Sequence, residues 1–408
     1  MKKLLSLIIA ISICASLTLT ACNKDIPEDK TASSVSSVST SSEDSSEVEY
    51  VHSENPVIAE PSTCPLSDKQ IAAVVDNAEK IIDDSDFSGT VLISVGNQII
   101  FEESYGYADK NKTENTNDTH YQIGSITKQF TGTAILLLER EGKLKVTDTL
   151  DKYFQGDDYL KNITVEHLLK MTCGMRDYME TIEGDTELFD KYIAAAKKSD
   201  KDAQDFIVKV ILDEGIYTNP GEVYCYSNSA YYLLGVIIEQ LTGMTYRDYV
   251  QQNFFDPAGM TESYFVGDGM DYQTGYSLAK EAYISDKDDK YLTAAGGYPY
   301  LFSAGAVVST AEDINKWLDT VDSGTVIGET EYKKIEKAEY MYNYGWNTSD
   351  NCWHHSGRTY AYSSQIFFDY KTDVKLVMLS NIQFYDALST DSFNIFNPVN
   401  NAVKKVNK

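Results

Sequence analysis

The sequence predicts an α+β fold, a mixed α/β chain in which an antiparallel β-sheet flanked by helices carries a mostly helical second lobe. Three observations lead there. Strand-like runs stand at both ends of the globular part, within 89–105 and 342–381; a long stretch of helical periodicity, about 126–260, separates them; and Gly96-Asn97 joins the first two strands as a hairpin. A sheet completed by strands from both ends of a domain, with helices looped out between them, leaves a cleft between two lobes.

Each element has its own signal. Between Lys69 and Asp84, Ile71, Val74, Val75, Ala78, Ile81 and Ile82 recur at helical spacing. Gly89 to Val95 and Gln98 to Tyr105 are the hairpin strands. Thr310-Ala311-Glu312-Asp313 predicts a capping box opening a helix through Trp317 and Leu318. Four further strands are expected at 342–347, 352–356, 360–369 and 374–381. No repeat of solenoid length is present.

The N-terminal part reads differently. Lys2 and Lys3 precede an apolar run, Leu4 to Leu19, and Leu19-Thr20-Ala21-Cys22 places small residues before a cysteine. This resembles a bacterial lipoprotein signal over residues 1–22, with cleavage before Cys22 and lipid on its thiol. Residues 23–66 are expected to be a disordered tether: nine of the sixteen positions from Thr31 to Ser46 are serine, too little apolar surface to offset ordering entropy. The globular part is then 67–408, expected to be extracytoplasmic and anchored at a membrane surface only through Cys22.

Charge narrows the partners. Thirty-five Lys and Arg stand against 62 Asp and Glu, a formal charge of −27, which disfavours nucleic acid and docking on anionic lipid. The five histidines, at 52, 120, 167, 354 and 355, show no metal-ligand spacing, so no metal or other cofactor is expected. Cys64, Cys173, Cys225 and Cys352 are expected to be free, although Cys225 and Cys352 each lie close to a motif that the fold could bring together.

The chemistry centres on Gly124-Ser125-Ile126-Thr127-Lys128, ahead of a strongly apolar helix. A spacing of three puts Ser125 and Lys128 on one helix face, and a partly desolvated lysine can act as base toward a serine hydroxyl. The bland alternative is a capping serine with an exposed lysine. A second copy of the pattern, Ser277-Leu278-Ala279-Lys280, lacks the apolar helix and reads as ordinary surface. Downstream, Tyr226-Ser227-Asn228 offers a phenol to relay a proton and an amide to orient a carbonyl. His355-Ser356-Gly357 ends a strand where a glycine admits substrate closely, and the following N–H, of Arg358, could complete an oxyanion hole.

This ordered set, serine-x-x-lysine, tyrosine-x-asparagine, basic residue-x-glycine, resembles the penicillin-recognising serine hydrolases, in particular the class C β-lactamase-like group with its D,D-peptidases, D-aminopeptidases and esterases. Thr164 to Gly174, Tyr232 to Ile238, Gly305 to Asp313 and Tyr344-Gly345-Trp346 are similar to that group as well. The resemblance implies a β-lactamase/transpeptidase-like fold, Ser125 as the acylated nucleophile, and Lys128 and Tyr226 sharing general base and acid work. It implies that Asn228 contacts the substrate amide, and that the N–H groups of Ser125 and Arg358 bind the oxyanion while Gly357 keeps the strand open. His355 stands where many members have a lysine that pairs with a substrate carboxylate; a histidine there is mostly neutral at pH 7 unless an acidic neighbour intervenes. Cys173 replaces a usual serine, a packing change. Ser349-Asp350-Asn351 spells a class A motif but falls in a turn.

The expected activity is therefore hydrolysis of a peptide, amide or ester through an acyl-enzyme. D-Ala-D-Ala-type wall peptides lead, with a broad esterase and a β-lactamase as rivals of the same fold. From other classes come a non-catalytic cell-wall or penicillin-binding module and an acylation sensor. Oligomeric state is left open.

Overall fold

A computed structural model describes residues 63–109, 112–267, 276–277, 282–283, 297–336, 341–359, 362–381 and 385–407. The lipoprotein signal with Cys22, and the tether up to residue 62, lie outside the described residues.

Helix α1, Asp68–Asp83, is started by Ser67, whose backbone N–H is received by Gln70 Oε1 in a capping box. The hairpin β1, Gly89–Val95, and β2, Gln98–Tyr105, follows as expected. After β3, Tyr121–Gln122, the helical segment runs from α2, Thr127–Arg140, through α3, Val165–Leu169, α4, Tyr178–Gly184, α5, Thr186–Ala196, and α6, Asp200–Glu214. It continues with α7, Asn228–Thr242, and α8, Tyr246–Val250, which passes through a π-helical turn to Ala258. Short strands β4, Tyr264–Phe265, β5, Tyr276–Ser277, and β6, Ala282–Tyr283, precede α9, Tyr298–Gly305, and β7, Val307–Ser309.

Helices α10, Ala311–Asp322, and α11, Glu329–Glu336, lead into the meander β8, Tyr342–Asn343, β9, Trp346–Ser349, β10, Cys352–Arg358, β11, Ser363–Asp369, and β12, Val374–Ser380. Helix α12, Tyr385–Val406, closes the described chain.

The seven-stranded sheet has the order β2-β1-β12-β11-β10-β9-β8, so the first hairpin and the C-terminal meander meet at the β1–β12 antiparallel pair. Strands β1, β11 and β12 are buried along their whole length. Their alternate side chains feed two cores: Leu92, Ile366, Val377 and Leu379 join the core shared with the helical lobe, while Val91, Ile93, Phe367 and Met378 pack under α1 and α12.

Three expectations are corrected. The 342–347 strand is a tight hairpin, because Tyr344 and Gly345 both take left-handed backbone, φ 50 and 92. A Cβ on Gly345 would lie 2.5 Å from the Lys128 carbonyl oxygen, so this turn is pressed onto α2. The 352–356 strand runs two residues further and takes in Gly357 and Arg358. At α10 only half of the capping box forms: Thr310 Oγ1 accepts from Asp313 N at 3.2 Å, but the Asp313 carboxylate serves Glu262 N and Ser263 Oγ instead.

Candidate active site

Ser125 sits in a short 3-10 turn, Gly124–Ile126, that runs straight into α2. Its placement depends on β10. Ile123 O accepts from Ser364 Oγ at 2.9 Å and stands where a side chain on Gly357 would be, so only glycine lets the strand come this close.

Lys128, one turn on, is fully buried. Its Nζ lies 2.8 Å from Ser125 Oγ, 2.8 Å from Asn228 Oδ1 and 2.7 Å from Ala304 O. Burial lowers its pKa to about 7, against the attraction of Asp177. Two of the three neighbours are carbonyl oxygens, which only accept. A neutral amine can satisfy both with its two N–H groups, and its lone pair then faces Ser125 Oγ. That is the arrangement needed to take the serine proton.

The Ala304 carbonyl belongs to the C-terminal turn of α9, where intrahelical partners run out. Phe302 breaks the helix there with φ 38 and ψ −133, and the neighbouring Ser303 O accepts from Thr131 Oγ1 at 2.7 Å. The strained residue thus presents two successive carbonyls to α2.

Tyr226 precedes α7, and its phenol interacts with the Ser125 side chain. Burial holds its pKa well above the usual value, so it stays a phenol and can give a proton but is a poor phenolate base. Lys128 Nζ lies 5.1 Å from the centre of its ring.

Asn228 bridges Lys128 and Asp177. Its Nδ2 and backbone N both donate to Asp177 Oδ2 at 2.8 Å, while its Oδ1 receives Lys128. Both ends of the amide are engaged inside the protein.

On β10, side chains alternate between the two cores. His354 stacks on Phe367 under α12, so His355 faces the helical lobe. His355 Nδ1 is 2.6 Å from Ser356 O, and its Nε2 is 3.1 Å from the Tyr342 hydroxyl. A carbonyl only accepts, so Nδ1 carries the proton and Nε2 receives the Tyr342 O–H. Burial, aided by nearby Lys128, pushes its pKa down to about 3. His355 is neutral and has no N–H left for a ligand carboxylate. Tyr342 packs edge-on against Tyr226 at 5.8 Å, which links the histidine's position to the Tyr226 phenol.

Thr359 N donates to Tyr362 O, and in an antiparallel ladder such pairs alternate. Arg358, one residue back and paired in register with Ser363, therefore turns its N–H away from β11. Strand β9 pairs β10 only from Cys352 to His354, and a Cβ on Gly124 would come within 2.6 Å of Arg358 N. The Arg358 N–H thus lies beside the turn that holds Ser125.

The structure brings Ser125, Lys128, Tyr226, Asn228, His355, Gly357 and the Arg358 backbone together, with Ser356 supplying the carbonyl that fixes the histidine. It also shows three contributors that the sequence reading missed: Asp177, Ala304 and Tyr342. Asp177 carries a faint sequence signal, since it opens α4 and its side chain accepts from Met179 N. A backbone carbonyl such as that of Ala304 has none. Ser277 of the second Ser-x-x-Lys lies in β5 rather than at a helix start, and Lys280 lies outside the described residues. Of Ser349-Asp350-Asn351, Ser349 ends β9 and Asp350-Asn351 forms the turn into β10. Cys64, Cys173, Cys225 and Cys352 are not joined in disulfides. Cys352 packs with the α1–α12 core, whereas Cys225 touches the Tyr217 hydroxyl, so those two do not pair. Among the described residues no cluster of His, Cys, Asp and Glu could hold a metal ion, and no helix is long and apolar enough to cross a membrane.

A family model described as Beta-lactamase matches residues 74–395. Penicillin-binding protein 4* of Bacillus subtilis (strain 168) is 36% identical over 180 residues, which span 43% of this chain and 38% of that protein. Putative penicillin-binding protein PbpX of the same organism is 28% identical over 332 residues, 79% of this chain and 78% of that one. The chain thus spans about two fifths of the first relative's length. Among solved structures, the penicillin binding protein from Bacillus halodurans superposes with a TM-score of 0.65 at 26% identity, over 77% of this chain and 98% of that one. D-amino acid amidase from Ochrobactrum anthropi SV3, complexed with D-phenylalanine, has a TM-score of 0.66 at 22% identity, over 83% and 99% of the two chains, and shares the fold.

Proposed function

The chain belongs to the Beta-lactamase family and is a serine hydrolase, and from that premise we propose that it hydrolyses D-amino-acid peptides, amides or esters outside the cytoplasm, tethered by lipid on Cys22, through an acyl-enzyme on Ser125. The observation that carries this reading is Lys128 Nζ at 2.8 Å from Ser125 Oγ with its other two neighbours fixed as carbonyl acceptors. Neutral Lys128 takes the hydroxyl proton as Oγ attacks the substrate carbonyl carbon. The oxyanion forms between the N–H groups of Ser125 and Arg358. On collapse the bond to the leaving amine or alkoxide breaks, and Tyr226 gives that group its proton. Lys128 ammonium restores the proton on Tyr226. Water then enters by the same route in reverse and releases the acid.

D-Ala-D-Ala-type wall peptides are the first substrates to try, in keeping with the names of the penicillin-binding relatives. A second reading is favoured by His355. Its neutral, doubly engaged ring offers no charge to a terminal carboxylate, so a substrate with an uncharged leaving group, an amide or ester, suits this cleft better. Release of D-alanine from an N-acylated D-Ala-D-Ala peptide, set against release of D-alaninamide from its C-terminal amide, separates the two. Faster cleavage of the free acid supports the wall peptidase, and faster cleavage of the amide supports the second reading. Failure to cleave either, or any N-acyl D-alanine ester, overturns both.

A further inference from the structure

Asp177 lies outside the three motifs and touches neither Ser125 nor Lys128 directly, yet it governs how they meet. An asparagine amide has two orientations, and the wrong one would aim Nδ2 donors at the Lys128 amine. Two observations remove that choice. Asp177 Oδ2 receives both the backbone N and Nδ2 of Asn228 at 2.8 Å, and its other oxygen, Oδ1, receives Met179 N at 2.9 Å. The carboxylate is therefore fixed by the start of α4, and a carboxylate can only accept. Asn228 must show Nδ2 to Asp177 and Oδ1 to Lys128, where the distance is 2.8 Å.

We propose that Asp177 is a positioning residue for the acylation step: its carboxylate locks the Asn228 amide so that Oδ1 holds one Lys128 N–H, and its charge stands behind that amide as the counter-ion of the lysine. The inference rests on the Ser125–Lys128 reading above. The groups around Asp177 are few. Burial raises its pKa, against the N–H donors from Asn228 and Met179 and against Lys128, which faces it from α2; donors and lysine alike favour its ionised form. Tyr226, ahead of α7, feels its charge, and Arg176 and Glu180 flank it on its own segment. Reciprocally, Asp177 is the group that holds Lys128 up against its burial. His355, from β10, is neutral and adds no charge.

The consequence has a sign. Removing the negative charge makes the Lys128 ammonium harder to form, so the acid limb of activity moves to lower pH. Removing the acceptor frees the amide to turn and slows acylation. The test is the acylation burst with p-nitrophenyl acetate from pH 5 to 9, normalised to active sites counted with a fluorophosphonate. Asp177→Asn keeps an acceptor oxygen and loses the charge; its acid limb should move down, with a modest loss of rate. Asp177→Ala should show the same shift with acylation slowed about 10- to 100-fold. The exchange Asp177→Asn with Asn228→Asp puts the charge against Lys128 and should move the limb up. Thermal midpoints of all three separate folding from positioning. Limbs and burst rates equal to those of the parent in both single variants, or a fall in midpoint with no pH shift, would overturn the proposal. If the parent shows no burst that depends on Ser125, the reading beneath it fails instead.

Discussion

Lys128 Nζ and Ser125 Oγ are 2.8 Å apart, and the amine that makes this contact is fully buried. Burial rather than a neighbouring cation brings its pKa down to about 7. Lys128 is thus set within the range where it can alternate between amine and ammonium.

The pH profile follows from that. In the proposed mechanism the neutral amine is the active form, so kcat/KM should fall about tenfold per unit below pH 7 with one proton involved. Replacing Lys128 with arginine, which stays charged, should abolish turnover at every pH. A limb near pH 4, or an active Lys128→Arg, would remove the lysine from the base's role.

His355 should contribute no limb. With a pKa near 3 it stays neutral across pH 5–9. His355→Gln keeps a donor for Ser356 O and an acceptor for Tyr342, so it should cost about 1 kcal/mol of stability and leave the shape of the profile unchanged. Loss of a limb between pH 5 and 8 in this variant would show that the histidine titrates in the working range.

Gly357→Ala tests the close approach of β10 to the turn before Ser125. The added Cβ meets the Ile123 carbonyl and Ser364 Oγ, and backbone cannot step aside cheaply. A loss of about 1–3 kcal/mol is expected from overpacking, with acylation slowed by roughly 10- to 100-fold as the strand edge withdraws. Denaturant melts and burst kinetics read the two effects separately. A variant as stable and as fast as the parent would contradict the packing.

Much of the fold was legible because it rests on local pattern. The 89–105 hairpin has its Gly96-Asn97 turn and two apolar runs, and α2 has an unbroken apolar stretch behind Ser125. What escaped depends on contacts distant in sequence. Gly345 is the one local hint of a break within 342–347, and the turn at Tyr344-Gly345 is also packed against α2. Asp313 looks like half of a capping box, but its carboxylate is taken by Glu262 and Ser263, about fifty residues earlier. In the site, Ser125, Lys128, Tyr226 and His355 were readable as chemistry-bearing residues in order. Asp177 and the Ala304 carbonyl were not, since their parts exist only once α4 and α9 pack beside α2 and α7.

The most direct test of the central claim is the intact mass of the chain after a fluorophosphonate is added at pH 8, with the modified residue located by peptide mapping. One adduct on Ser125 is expected, absent from Ser125→Ala and retained by Ser277→Ala, with Ser125→Ala folding within about 1 kcal/mol of the parent. An adduct that persists in Ser125→Ala, or one that maps to Ser277, would contradict the assignment of the nucleophile and the account built on it.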